Sequence, residues 1–231
     1  KAGLIKVVGI GLAFVFLLVV AQYSSDIEYG VFATIFSAAT ILGFAFVAGQ
    51  HVIIMRYWPS FDENETVEKA DAALRWSFQL VIGACLAGSV ILLSGAYVYM
   101  AVDATPPLWI KHVWPLLAMT LAFALSEFGQ GALRAKGEVL ISLSGREVLW
   151  RLLSIGTIFV TGQMSGEAFI YLVATTLAVI NALQLWLIFR KISHPMALPK
   201  QDQRDMRKRS GWIWLGTTVG PLVSHSGTII V

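Results

Sequence analysis

Apolar residues along this chain run in blocks far longer than a soluble core helix needs. Residues 7–25, 29–55, 76–102, 168–189 and 210–231 contain no Asp, Glu, Lys or Arg. As helices rising about 1.5 Å per residue, each is long enough to cross about 30 Å of hydrocarbon. Two further spans, about 112–133 and 148–166, are interrupted by Glu127 and Arg151. The pattern predicts an all-α, polytopic membrane helical bundle. Six complete spans would make one lobe over residues 1–189, a basic loop would follow over 190–211, and residues 212–231 would begin a seventh span. Six spans and part of a seventh are expected to be the first half of a protein of roughly twelve to fourteen helices.

Charge orients the bundle. When the spans are threaded in alternating directions, sixteen of the seventeen Lys and Arg residues fall on one side and only Lys111 lies opposite. The positive-inside rule then places the N-terminus in the cytoplasm. The connections expected outside are short and carry Asp26, Glu28, Asp103 and Glu167, whereas those expected inside are longer. Residues 56–75 hold an acidic cluster (Asp62, Glu63, Glu65, Glu68, Asp71) on a helical-looking stretch that should run into the third span. Residues 190–211 combine two prolines with seven basic residues, the pattern of a linker between lobes.

Composition agrees with this reading. Hydrophobic residues make up 57% and charged residues 13% of the chain, against roughly 25% charged in a typical soluble domain. The formal charge of +3 is therefore topological, and a nucleic-acid partner is not expected. Basic loops on this side would meet anionic lipid headgroups. The single Cys85 lies inside the third apolar block and reads as a packing residue. No HExxH, CxxC, GxSxG or P-loop pattern occurs, and His51, His112, His194 and His225 show no metal-ligand spacing. Neither an enzyme nor a cofactor site is predicted.

Candidate chemistry rests on polar groups at membrane depth, which are expensive in hydrocarbon and face a bundle interior or a wet cavity. In the fourth span Thr120, Glu127, Gly131 and Arg134 share a helix face by spacing. A carboxyl at Glu127 suits proton or cation exchange, and it suits equally a hydrogen-bonded packing role or a pair with Arg134. The second span carries Ser37, Thr40, Gln50 and His51 and closes in Arg56, an arginine placed to fork onto phosphate oxygens or to snorkel. Asn181 and Gln184, three apart in the sixth span, are suited to substrate contact or to hydrogen bonds between helices. Glu147 and Arg151 read as a local i,i+4 ion pair.

Two stretches carry a family resemblance. Residues 28–61, with Tyr29–Gly30 leading into a span that closes in Gly49, Arg56 and Tyr57, resemble the first hairpin of polysaccharide transporters, the O-antigen and teichoic-acid flippases. Residues 129–156 are similar to the stretch after the fourth span in that family, where an LRA-x-G turn precedes an arginine. The wider superfamily takes in multidrug and toxin extruders and lipid-linked oligosaccharide exporters. The resemblance implies a MATE-like architecture of two six-helix lobes about a central cavity, in a bacterial cytoplasmic (inner) membrane. It implies movement of polyprenyl-pyrophosphate-linked oligosaccharide from the inner to the outer leaflet, for O-antigen, capsule or exopolysaccharide. On that picture Arg56 takes the phosphate end, Gln50 and His51, with Asn181 and Gln184, line the cavity, and Glu127 is a coupling site for a proton or sodium gradient. Glycan polymerase or assembly proteins would be partners. Several relatives carry an acidic residue late in the seventh span, where this chain reads SHSGTIIV with no carboxylate, and His225, which can itself titrate, is a second candidate for ion coupling. A cation-coupled multidrug exporter, which would favour an acidic, aromatic cavity, and a non-transporting membrane scaffold are the competing expectations.

Overall fold

In the computed structural model, residues 2–64, 66–103, 106–190, 192 and 197–229 are described, with the side chains of 64 and 225–229 left aside. His194 and the side chain of His225 therefore lie outside the described residues. The described residues form ten α-helices and one π-turn, with no strand among them. In chain order these are α1 (Ala2–Gln22), α2 (Asp26–Phe46), α3 (Gln50–Asn64), α4 (Val67–Val102), α5 (Leu108–Lys111) and α6 (Val113–Ala135). There follow α7 (Val139–Ser144), the π-turn Gly145–Leu149, α8 (Trp150–Thr161), α9 (Gly166–Phe189) and α10 (Lys200–Ile229).

Hydroxyl caps fix three helix starts. Ser25, Thr66 and Ser165 accept from the N–H groups of Glu28, Lys69 and Ala168 at 3.3, 3.2 and 3.3 Å, each satisfying a donor that the first helical turn leaves unpaired. Helices α1, α2, α4, α6 and α9 are long and apolar enough to cross a membrane. The remaining traverses are interrupted: α3 continues the path of α2 after a break, and residues 139–161 are divided by the π-turn. Helix α10 begins about three turns before its apolar part, so residues 200–211 are helical rather than irregular.

Helix α6 is the axis of the lobe. In its most apolar window 78% of residues are buried, against 17% for α4, because α2, α3, α4, α7 and α9 all pack against it. Gly131 makes one of these approaches possible: a Cβ there would sit 2.4 Å from the carbonyl oxygen of His51. Elsewhere the outer faces are strongly apolar. Leu4, Ile10 and Phe14 on α1 and Val90, Ile91 and Val98 on α4 are all more than half exposed, the surface of a bundle whose solvent is lipid or a neighbouring lobe. The chain is a multi-pass membrane protein.

The second apolar block is not the single helix that its hydropathy predicts. Ala48 and Gly49 adopt φ of 51° and 69°, a left-handed step that ends α2 and restarts the chain as α3. The heptad register that would align Ser37 with His51 does not run through this break. Carbonyls freed at such a step are costly in hydrocarbon unless they find partners. Here α10 supplies them: Trp214 Nε1 donates to the Ala45 carbonyl at 2.9 Å and Ser210 Oγ donates to the Ala48 carbonyl at 2.7 Å. The glycine at 49 also admits α10 itself, since a Cβ there would lie 3.0 Å from the Trp214 backbone nitrogen.

Candidate functional site

The polar groups of the lobe concentrate where α1, the α2–α3 break, α6 and the π-turn meet. Glu127 lies about eight residues, or roughly 12 Å, inside the end of α6, with its side chain only 6% exposed. It forms an ion pair with the Arg146 guanidinium. Arg146 also donates to Gln130 Oε1 at 3.1 Å, and its guanidinium stands 5.9 Å from the centre of the Phe44 ring at the end of α2. The wide π-turn holds this arrangement at both ends. Gly145 leaves room for Gln184 of α9, whose Nε2 would lie 2.4 Å from a Cβ at that position, and Trp150 Nε1 donates to the Arg146 carbonyl.

Glu147, next along the turn, packs against Gly9 of α1, where a Cβ would lie 2.8 Å from its own. It pairs with Arg151 at 3.3 Å, as the i,i+4 spacing predicts. Arg134 stands within electrostatic reach of Glu127, Arg146 and Glu147 but forms no ion pair with a described residue. Three arginines (134, 146, 151) thus meet two glutamates (127, 147), which leaves one positive charge in surplus. Two polar atoms here are buried without a partner among the described residues, His51 Nδ1 and Gln130 Nε2. The His51 ring meets Phe44 edge-on, with centroids 6.1 Å apart.

The residues singled out by sequence divide between this cluster and the packing around it. Glu127 and His51 belong to it. Gln50 is buried at the break, where its Nε2 donates to Ser210 Oγ at 2.7 Å and its Oε1 has no partner among the described residues. Asn181 Nδ2 donates to the Ala122 carbonyl at 2.8 Å, and Gln184 Nε2 lies 3.4 Å from the Ile141 carbonyl, so both link α9 to neighbouring helices. Arg56 is exposed on α3. Five residues beyond His51, it is turned roughly 140° away around the helix, and it pairs with no residue of the cluster. His225 lies on α10, with its side chain outside the described residues.

Sequence reasoning missed Arg146 and Gln130. Gln130 follows Glu127 by three residues, so that much was readable from helical spacing. The partnership of Glu127 with Arg146, nineteen residues away across a loop and a π-turn, leaves no trace in local periodicity, which pointed to Arg134.

No protein-family profile matches the chain, and no curated protein matches it. Solved structures do. A MOP-superfamily transporter from Pyrococcus furiosus, described as having a binding pocket of reversed polarity, superposes with a TM-score of 0.68 at 18% identity. A MATE protein carrying a proline-to-alanine substitution gives 0.67 at 18%, and a multidrug-resistance MATE transporter in an outward-facing conformation gives 0.63 at 17%. Each alignment covers 95% of this chain and 51%, 52% and 51% of those chains respectively, so the chain spans about half the length of the structures it matches. The polytopic bundle expected from the apolar blocks therefore has the fold of half a MATE-type transporter of the MOP superfamily.

Proposed function

We propose that the chain forms the N-terminal lobe of a transporter that moves polyprenyl-pyrophosphate-linked oligosaccharide between leaflets, for surface polysaccharide assembly. One observation carries the reading. Arg134 stands at the edge of a partly buried cluster with a surplus positive charge and no ion-pair partner of its own among the described residues. A guanidinium held this way is suited to forked contact with pyrophosphate oxygens. The unpartnered Gln130 Nε2 is a further donor beside it. In this arrangement Arg134, in place of Arg56, takes the phosphate end, while sugars meet the polar groups around the break in the second span.

Glu127 favours a second element of the reading, coupling to a proton or sodium gradient. It is a carboxyl buried among helices, whose charge is balanced by Arg146, so a change in its protonation would release that arginine. The same group serves the competing reading of a cation-coupled multidrug exporter. The two part on substrate charge: the surplus of arginine suits an anionic cargo and opposes a cationic drug.

The test is the sidedness of lipid-linked glycan in cells lacking the full-length gene. Complete oligosaccharide-lipid is expected to build up on the cytoplasmic leaflet, with rescue by wild type and not by Arg134→Gln. Normal sidedness in the deletion would end the flippase reading, and drug sensitivity in the same cells would favour the exporter.

A further inference from the structure

A second polar knot lies at the basic end of the bundle, apart from the Glu127 cluster. Asp71 of α4 is 6% exposed. Its Oδ1 accepts from Trp58 Nε1 at 3.2 Å and faces Lys136 Nζ at 3.3 Å. Lys136 donates in turn to the Ile188 carbonyl at 3.3 Å, so one salt bridge ties α4 to the end of α6 and the end of α9. Glu138 and Arg190 join these groups in lining a cavity of about 280 Å³. Both are exposed, and neither forms an ion pair with a described residue.

The cavity has a composition that helix packing alone does not call for. Its charges cancel, Lys136 and Arg190 against Asp71 and Glu138, yet only the Lys136–Asp71 pair is closed. The Trp58 and Lys136 contacts of Asp71 both fall on Oδ1. The volume falls just below the roughly 300–1,000 Å³ of pockets that enclose a drug-sized molecule, which is the scale of a small head group. An apolar stripe leads from it along α9. Leu183, Trp186, Leu187 and Arg190 recur at helical spacing on one face; Leu183 and Trp186 are both 59% exposed, and the Arg190 guanidinium stacks 4.8 Å from the Trp186 ring.

We propose that this cavity binds the head group of a zwitterionic, primary-amine phospholipid from the leaflet at the basic end. The phosphate would meet Lys136 and Arg190, the ammonium would meet Asp71 and Glu138, and an acyl chain would follow the α9 stripe. Charge balance selects this class. A phosphoglycerol head group satisfies the two cations but brings no cation to Glu138 and competes with Asp71 for Lys136, and a choline head group offers the carboxylates no N–H donor. A soluble zwitterion matches the charges and leaves the stripe uncovered.

Native mass spectrometry of the full-length protein, titrated in detergent with phosphatidylethanolamine, phosphatidylglycerol and phosphatidylcholine, tests the proposal. Phosphatidylethanolamine should bind at about tenfold lower concentration than either competitor, the scale of one charge-assisted hydrogen bond. E138Q, at an exposed position, should remove that preference, whereas R190Q, which loses a phosphate contact common to all three lipids, should weaken them together; both should leave the lipid-free melting temperature unchanged. Chainless glycerophosphoethanolamine should fail to compete at matched concentration. Equal or tighter binding of phosphatidylglycerol, a preference that survives in the E138Q/R190Q double variant, or full competition by the chainless head group would each overturn it.

Discussion

Helices α2, α6 and α9 each run through two very different interiors. Toward the end that carries Glu28 and Glu167 they are joined by rings. Phe32 packs edge-on with Phe16 and Phe169 at 6.0 and 6.3 Å, and Phe36 with Phe123 at 5.4 Å. This core, completed by Ile35, Met119 and Ile158, is apolar. Among the described residues its charged groups sit at the rim, where His112 pairs with Glu167 and Glu28 accepts a hydrogen bond from the Gly166 N–H. A few turns further along the same helices, the interior holds Glu127, Gln130, Arg134 and Arg146 instead.

Both interiors sit at membrane depth, where a ring costs nothing to bury and an ion costs several kcal/mol. A bundle that needed only stability would continue the aromatic packing. The polar half is also where helix regularity fails, at the 47–49 step and the 145–149 π-turn.

Four substitutions break or sharpen this contrast. The largest effect is expected for Arg146→Ala, which strands the Glu127 charge and should cost about 3–5 kcal/mol in detergent unfolding. Adding Glu127→Gln should recover most of that loss; a double variant as unstable as the single would show that the arginine acts by packing. Phe169→Ala, in the aromatic half, should cost about 3 kcal/mol by the same measurement and leave transport per folded molecule unaltered. Gly131→Ala should cost about 1–3 kcal/mol, because the new methyl collides with the His51 backbone, and a smaller penalty would mean that α3 can slide. The smallest is Ser210→Ala, at about 1 kcal/mol. It should appear chiefly as faster amide exchange around residues 47–53, where α10 completes the broken span.

Much of this was legible from the chain alone. Blocks without charge and the one-sided distribution of Lys and Arg report directly on what hydrocarbon tolerates, so the all-α membrane bundle followed from composition and length. The break at 47–49 was hidden because Val47, Ala48 and Gly49 are as apolar as a continuous span; hydropathy is blind to a dihedral angle. Arg56 stands out because it ends an apolar block, and the structure places it on α3, beyond the break and exposed. Glu127 was visible as an acid in an apolar run, whereas its partner was not, since a pairing between α6 and the π-turn is a property of the assembled lobe. Asn181 and Gln184 were visible as polar residues in the sixth span, and only the packed bundle shows them joining α9 to α6 and α7.

Cargo handling belongs, on this reading, to the polar half, and the aromatic half holds the lobe together. The most direct test of this division is the translocation rate of a fluorescent polyprenyl-pyrophosphate oligosaccharide by the full-length protein in liposomes, normalised to folded protein, for Arg134→Gln and Phe169→Leu. Arg134→Gln is expected to retain its melting temperature and lose translocation, while Phe169→Leu melts earlier and translocates at the wild-type rate. Wild-type translocation by Arg134→Gln would contradict this division.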